Sequence, residues 1–165
     1  MKTFKQFMIE VGGYYHNAWR GSHPLSNDPS PISWERAENT KPHERPIWLS
    51  NDAHTARGWK KHMSAKKSYH VDVEGDVAHH HDENIQKLFK KHRIDMKRYN
   101  HMLFGQPDAK TVHSHPATKL LKKKGYVGYT HPERDPHTPR DWSFKTSSTV
   151  IFHRKHVKIG PEIEL

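Results

Sequence analysis

Five prolines, Pro24, Pro29, Pro31, Pro42 and Pro46, punctuate a stretch from Asn17 onward that is also dense in Ser, Asn and His. Each proline fixes φ and removes a backbone donor, so neither a long helix nor a central strand can run through this stretch. It is expected to be mostly loop, with a short ordered piece around Tyr15–Ser22 and a turn of helix near Trp34–Glu38. Regular structure must come from the remainder, which has little aliphatic material to bury. Leu, Ile, Val and Phe make up 29 of the 165 residues, under the roughly 20% at which high charge begins to favour disorder. The aromatics oppose this, since five Trp, six Tyr and six Phe can each bury on the order of 150–250 Å². The expectation is one domain with a thin, aromatic-rich core and long polar loops.

The periodicities predict a mixed α+β order. Phe4, Phe7 and Met8 share a helical face before Gly12-Gly13, which reads as a short amphipathic helix over 1–12 on a flexible joint, ahead of a domain over 13–165. Ile47-Trp48-Leu49 makes a short strand. Ser50, Asn51 or Asp52 can then cap a helix through about Met63, because their side-chain oxygens accept from orphan backbone N–H groups. Tyr69, Val71 and Val73 alternate with polar residues as a half-buried strand closed by Gly75. Asp82 can cap a helix carrying Ile85, Leu88 and Phe89, and a further helix is expected over about 95–104. Pro116 opens a helix that ends in Lys122-Lys123-Lys124 and Gly125. Tyr126–Tyr129 reads as a strand, 130–147 as a Pro/His/Arg-rich loop, and Thr149–Phe152 with His156–Ile159 as two strands or one bent strand.

Lys and Arg total 28 against 18 Asp and Glu, a net charge of +10 with 17 histidines neutral. A basic balance of this size favours contact with polyanions through counterion release, or else serves as a solubilising surface. No apolar run approaches the roughly 18 residues of a membrane span, and the N-terminus lacks a secretory apolar stretch, so neither spanning nor conventional secretion is expected. With no cysteine, thiolate catalysis and Cys-based zinc sites are excluded. The glycine-rich dinucleotide and phosphate loops, His-Glu-x-x-His and Gly-x-Ser-x-Gly are all absent, which removes support from common dehydrogenases, nucleotide hydrolases, zincins and serine hydrolases. His79-His80-His81-Asp82 is the obvious metal candidate, with His113, His115, His153 and His156 as further imidazoles. Neighbouring side chains diverge, so three consecutive histidines cannot all face one ion, and no metal site is assigned.

Four segments occur in a particular order: Trp19-Arg20-Gly21-Ser22; Pro46-Ile47-Trp48-Leu49-Ser50 leading into Asp52–Trp59; Leu120–Tyr129 with its Gly-Tyr-x-Gly; and Thr149–Ile159. In this order the chain resembles the ADP-ribosyltransferase fold, especially the small versions found as phage and toxin domains. The resemblance spans about residues 14–160 and implies a split, strongly curved sheet with short helices. It also implies a mono-ADP-ribosyltransferase that uses NAD to modify a host protein or nucleic acid.

Such enzymes split the nicotinamide–ribose bond through an oxocarbenium-like state and need a phosphate clamp, a stacking wall and an acceptor for a ribose hydroxyl. By resemblance, Arg20 with Gly21 and Ser22 supplies the clamp, the alternative being a surface arginine beside a buried Trp19. Ser50 bonds the ribose or steadies the catalytic carboxylate, the alternative being a plain helix cap. Trp48, Trp59 or Tyr69 stacks on nicotinamide, or packs in the core. The family's glutamate is expected at or just before Val150-Ile151-Phe152, where Thr146-Ser147-Ser148-Thr149 stands instead. A Glu-x-Glu occurs as Glu162-Ile163-Glu164 and Asp141 lies in the preceding loop; Glu162 and Glu164 are the candidates for the catalytic carboxylate if the strand register is shifted.

The first ten residues resemble leader peptides of proteins packed into the proheads of large tailed phages, with Met8-Ile9-Glu10 as the cleavage motif. This implies a location in the phage capsid or the host cytoplasm, beside packaged DNA. The second function class is a non-catalytic basic nucleic-acid-associated head protein, or an inhibitor of a host enzyme.

Overall fold

A computed structural model describes residues 13–17, 46–62, 67–105, 107–134, 137 and 144–163. Among them the chain is a mixed α+β structure built on an open mixed sheet. The strands are β1 (Gly13–Asn17), β2 (Ile47–Ser50), β3 (Lys67–Val73), β4 (Asp76–His79), β5 (Tyr126–Arg134), β6 (Phe144–Ile151) and β7 (Val157–Ile163). The helices are α1 (Ala53–His62), α2 (Glu83–Lys91), α3 (Met96–Phe104), α4 (Ala109–Ser114) and α5 (Pro116–Lys123), with a 3-10 turn at Arg154–His156. The sheet order is β4-β5-β6-β2-β1-β3-β7. Only β4 and β5 run parallel; the other neighbours are antiparallel. At the centre, β1 and β2 meet in a single register pair, Tyr14 with Ser50.

Asp52, Asp82, Asp95 and Asp108 each accept a hydrogen bond from a backbone N–H in the first turn of the helix that follows. These bonds satisfy donors that the helix itself cannot pair. Gly125, at φ 89°, ends α5 in the left-handed region open to glycine. Gly128 is required for a different reason: a Cβ there would lie 2.5 Å from the Val150 carbonyl oxygen.

Two clusters form the core, one on each face of the central strands. Val150 joins Phe89, Tyr99, Leu103, Leu121 and Tyr129 beneath α2–α5, whereas its neighbour Ile151 joins Ile47, Leu49, Tyr69 and Val71. The opposite allegiance of consecutive residues is the period-two alternation of a strand buried on both faces. The aromatic-rich core expected from the sequence is present, with the rings of Phe89, Tyr99 and Tyr129 5.1–6.0 Å apart.

Several expectations need correction. Gly13 begins a strand and is not a joint. Asp76–His79 is a parallel strand, so the histidine cluster starts within the sheet. A short helix, α4, precedes Pro116. The largest change concerns 130–147, read as loop, whose two ends extend β5 and β6. Pro132 pairs with Ser147 there, although a proline argues against a central strand. The reason is that β4 ends opposite Thr130, so beyond it β5 has no neighbouring strand on that side among the described residues, which is where a strand proline is tolerated. The 1–12 helix and the turn near Trp34–Glu38 fall outside the described residues.

Candidate functional site

On the helix-covered face, Trp48, Val150 and Tyr129 pack into or against the larger core cluster. Two residues further along each strand, the same face carries Ser50, Ser148 and His131, which the ladder pairs in sequence, Ser50 with Ser148 and Ser148 with His131. A buried polar row therefore crosses three strands where apolar residues would ordinarily sit. Ser50 and Ser148 are each 4% exposed and His131 is fully buried. Glu133, about 7 Å further along β5 at ~3.4 Å per residue, is also buried and pairs with Thr146.

The protonation states follow from burial. His131 Nδ1 donates to the Pro132 carbonyl at 3.0 Å, which leaves Nε2 as the acceptor nitrogen, buried and without a partner among the described residues. Burial lowers its pKa to about 4, against the opposing pull of the Pro132 carbonyl, with a smaller lowering from the neighbouring His80. Burial pushes the Glu133 carboxyl up to about 7, opposed by the Arg134 backbone N–H and the Arg134 guanidinium. That N–H donates to Glu133 Oε1 at 3.0 Å. At neutral pH the row thus holds a neutral imidazole beside a carboxyl poised between its two forms, an arrangement suited to proton transfer.

A cleft of about 620 Å³ lies at the end of the sheet where β2 and β5 finish and β6 begins. Asp52, His54, Thr55, His79, His80, His81, Pro132 and Phe144–Ser147 line it. Pro132 and Ser147 alternate along their strands with His131, Glu133 and Ser148 and so fall on the other face of the sheet, whereas Thr146, paired with Glu133, shares the face of the row and also lines the cleft. Hydrogen bonds tie this end together. Asn51 Nδ2 donates to Ser147 Oγ at 2.9 Å, and Thr149 Oγ1 donates to Asn51 Oδ1 at 2.8 Å. Because the Thr149 proton is committed to Asn51, Thr130 is the donor in its 2.7 Å contact with Thr149. The network fixes the residue following Ser50 against β6.

Imidazoles make one wall. The His80 ring lies 4.7 Å from that of His79 and 3.8 Å from that of His81, and His54 packs on His137 at 4.2 Å. His80 Nδ1 donates to the Thr130 carbonyl at 3.0 Å. Burial, before any neighbouring charge, lowers the pKa of His79 and takes His80 to about 4. The His79 and His80 rings are therefore neutral at pH 7. Among the described residues, no group of three or more His, Asp or Glu is arranged to hold a metal ion.

Of the residues singled out in the sequence, Ser50 enters the polar row. Trp48 is half-buried on the same face, packed against the core, with its indole N–H unpaired among the described residues. Tyr69 is a core residue. Glu162 lies on β7 opposite Tyr69, with β1 and β3 between it and β2, roughly 14 Å away at ~4.8 Å per strand; the fold does not bring it to Ser50. Arg20, Gly21, Ser22 and Glu164 lie outside the described residues, as does the Trp59 side chain. Sequence reading missed His131 and Glu133, although the alternation Tyr129, His131, Glu133 carried on from the recognised strand.

No helix among the described residues is long and apolar enough to cross a membrane. No protein-family model, no curated protein and no solved structure matches the chain.

Proposed function

We propose that this domain is a phage-type mono-ADP-ribosyltransferase-like enzyme that cleaves the nicotinamide–ribose bond of NAD and passes ADP-ribose to a host protein or nucleic acid. The observation that carries the reading is the row Ser50, Ser148, His131 with Glu133 beside it, buried where folding alone calls for apolar side chains. Two further features support it. Segments of the ordered pattern lie together, since β2 neighbours β6 and β6 neighbours β5. The single Tyr14–Ser50 pair also leaves a narrow seam at the middle of the sheet, in keeping with a split, curved sheet of the transferase type.

In this reading Ser148 occupies the place expected for the family's glutamate, and Glu133 on the adjoining strand supplies the acid. The glycosidic C–N bond breaks and its electron pair leaves with nicotinamide. A lone pair of the acceptor closes on the ribose carbon, and the acceptor's proton passes to the ionised Glu133. Ser50 orients the ribose hydroxyl or the Glu133 carboxyl, and the imidazole wall stacks on the nicotinamide ring. Arg20 clamps the diphosphate. Thr146, which lines the cleft and stands opposite Glu133, is the point at which a substrate in the cleft would approach the row.

The experiment is nicotinamide release and transfer from labelled NAD into a host lysate, with Ser50→Ala, Glu133→Gln and Arg20→Ala. Loss of a general acid–base group is expected to lower turnover about 10²–10⁴-fold. Absence of both NAD binding by calorimetry and nicotinamide release refutes the reading. The +10 charge favours the second reading, a non-catalytic nucleic-acid-associated head protein, which would bind DNA while leaving NAD intact.

A further inference from the structure

Away from the cleft, three elements converge on one cationic surface. Lys122, in the last turn of α5, donates from Nζ to His113 Nδ1 of α4 at 3.3 Å. The His113 ring stacks on that of His153, centroids 4.9 Å apart at 24°, and His153 leads directly into the 3-10 turn with Arg154 and Lys155. Lys119, Lys123, Lys124 and Lys155 are exposed around this joint. None of these four lysines, nor Lys122, has an ion-pair partner among the described residues. Acidic side chains at this end include Glu74, whose backbone N–H donates to the His156 carbonyl at 2.8 Å, and Asp76, which pairs with Tyr126 just beyond α5.

Lysines at a helix C-terminus also complement its dipole, which accounts for Lys122 and Lys123 by themselves. It does not account for Arg154 and Lys155 being brought there from a separate element. The cations oppose one another in part: burial and then Lys119 lower the Lys122 pKa, and burial and then Lys155 lower that of His156 against the opposing pull of Glu74. An anion seated here relieves that opposition.

We propose that this joint of α4, α5 and the 3-10 turn is a docking site for the phosphate backbone of nucleic acid. Cations distributed over two elements suit a run of phosphates better than one small anion. The His113–His153 stack ties α4 to the turn and so holds the cations of the two elements at one joint. The surface is separate from the cleft. The turn sits at the Val127 end of β5, where Phe152 N–H donates to the Val127 carbonyl at 2.9 Å, whereas the cleft is at Pro132, about 17 Å along the strand at ~3.4 Å per residue. The proposal therefore stands or falls independently of NAD chemistry.

The test is fluorescence anisotropy of a labelled single-stranded oligonucleotide and its duplex across a salt series. The full chain is compared with Lys122→Gln/Lys123→Gln/Lys155→Gln and with a control of equal charge loss on α2, Lys87→Gln/Lys90→Gln/Lys91→Gln. In the first variant, each lost phosphate contact should flatten the log–log salt slope for duplex by about 0.9, with at least tenfold weaker binding at low salt. The control should stay near wild type. An equal loss in both variants shows diffuse attraction and overturns the proposal. So does binding that is absent or indifferent to salt, or displacement of the oligonucleotide by polyglutamate as effectively as by unlabelled DNA. Far-UV circular dichroism of each variant separates loss of binding from loss of fold.

Discussion

Replacing Glu133 by Gln removes the ionisable group while keeping nearly the same shape, and its effect on stability should depend on pH in a defined direction. In the fold the carboxyl is raised from an ordinary 4.5 to about 7, so the native state holds a proton that the unfolded chain has released. Stability from Glu133 is then fully present below pH 4.5 and is lost as pH rises through 7. A difference of 2.5 units at 1.36 kcal/mol each gives about 3 kcal/mol between the two limits.

The buried His131 works against this over nearly the same interval. Its pKa is lowered from 6.5 to about 4, so its contribution is present above pH 6.5 and lost as pH falls through 4. The wild-type curve alone will therefore show partial cancellation, and the difference between wild type and Glu133→Gln isolates the carboxyl. Urea unfolding from pH 4 to pH 8 should show the variant gaining about 3 kcal/mol relative to wild type, a midpoint shift of at least about 1 M at ordinary urea slopes. Because burial is the leading cause, raising the salt concentration should leave the effect largely intact, whereas a shift caused by surface charges would be screened. A stability difference that stays constant over this range refutes the assignment of Glu133 as a buried, proton-holding acid.

Gly128→Ala forces a Cβ to within 2.5 Å of the Val150 carbonyl and 2.7 Å of Ile151 Cδ1. It should cost about 1–3 kcal/mol or more as an overpacked site, read as a fall in thermal midpoint of several degrees. His131→Gln removes a group that must charge on acidification, so the midpoint of acid unfolding should move to lower pH; an unchanged midpoint would show that His131 is already protonated in the fold.

Legibility in the sequence followed local signal strength. Asp82, Asp95, Pro116 and Gly125 each act through their own backbone geometry, and the helices they delimit lie where the sequence places them. The alternation of Tyr69, Val71 and Val73 likewise marks β3. Missing were the features that depend on partners far along the chain. Asp76–His79 becomes a strand because Tyr126–Thr130 lies beside it, and no periodicity within four residues can announce a parallel pairing. His131, Pro132 and Arg134 all weigh against strand by composition, yet they continue β5 because Phe144–Ser148 supplies the opposing ladder. Ser50 was legible twice over, as a strand end and as a helix approach, but its neighbours Ser148 and His131 are adjacent to it only through register.

The polar row also bears on why the site takes this form. A chain with few large aliphatics would gain by filling a central sheet face with them, and each buried Val or Ile would contribute about 1.5–3 kcal/mol relative to exposure. Placing Ser, His and Glu there forgoes that gain and adds the desolvation of a carboxyl and of an imidazole nitrogen with no partner. The requirements of folding explain the Phe89–Tyr99–Tyr129 cluster a few ångströms away; they do not explain this row. Departures from local folding rules that lack a compensating bond concentrate at functional sites. Here the departure coincides with two side chains whose proton affinities are moved in opposite directions, His131 downward and Glu133 upward. Simple burial of a structural hydrogen-bonded pair would satisfy both partners. An unpaired Nε2 beside a carboxyl poised near pH 7 instead keeps one proton acceptor and one exchangeable proton within the same strand.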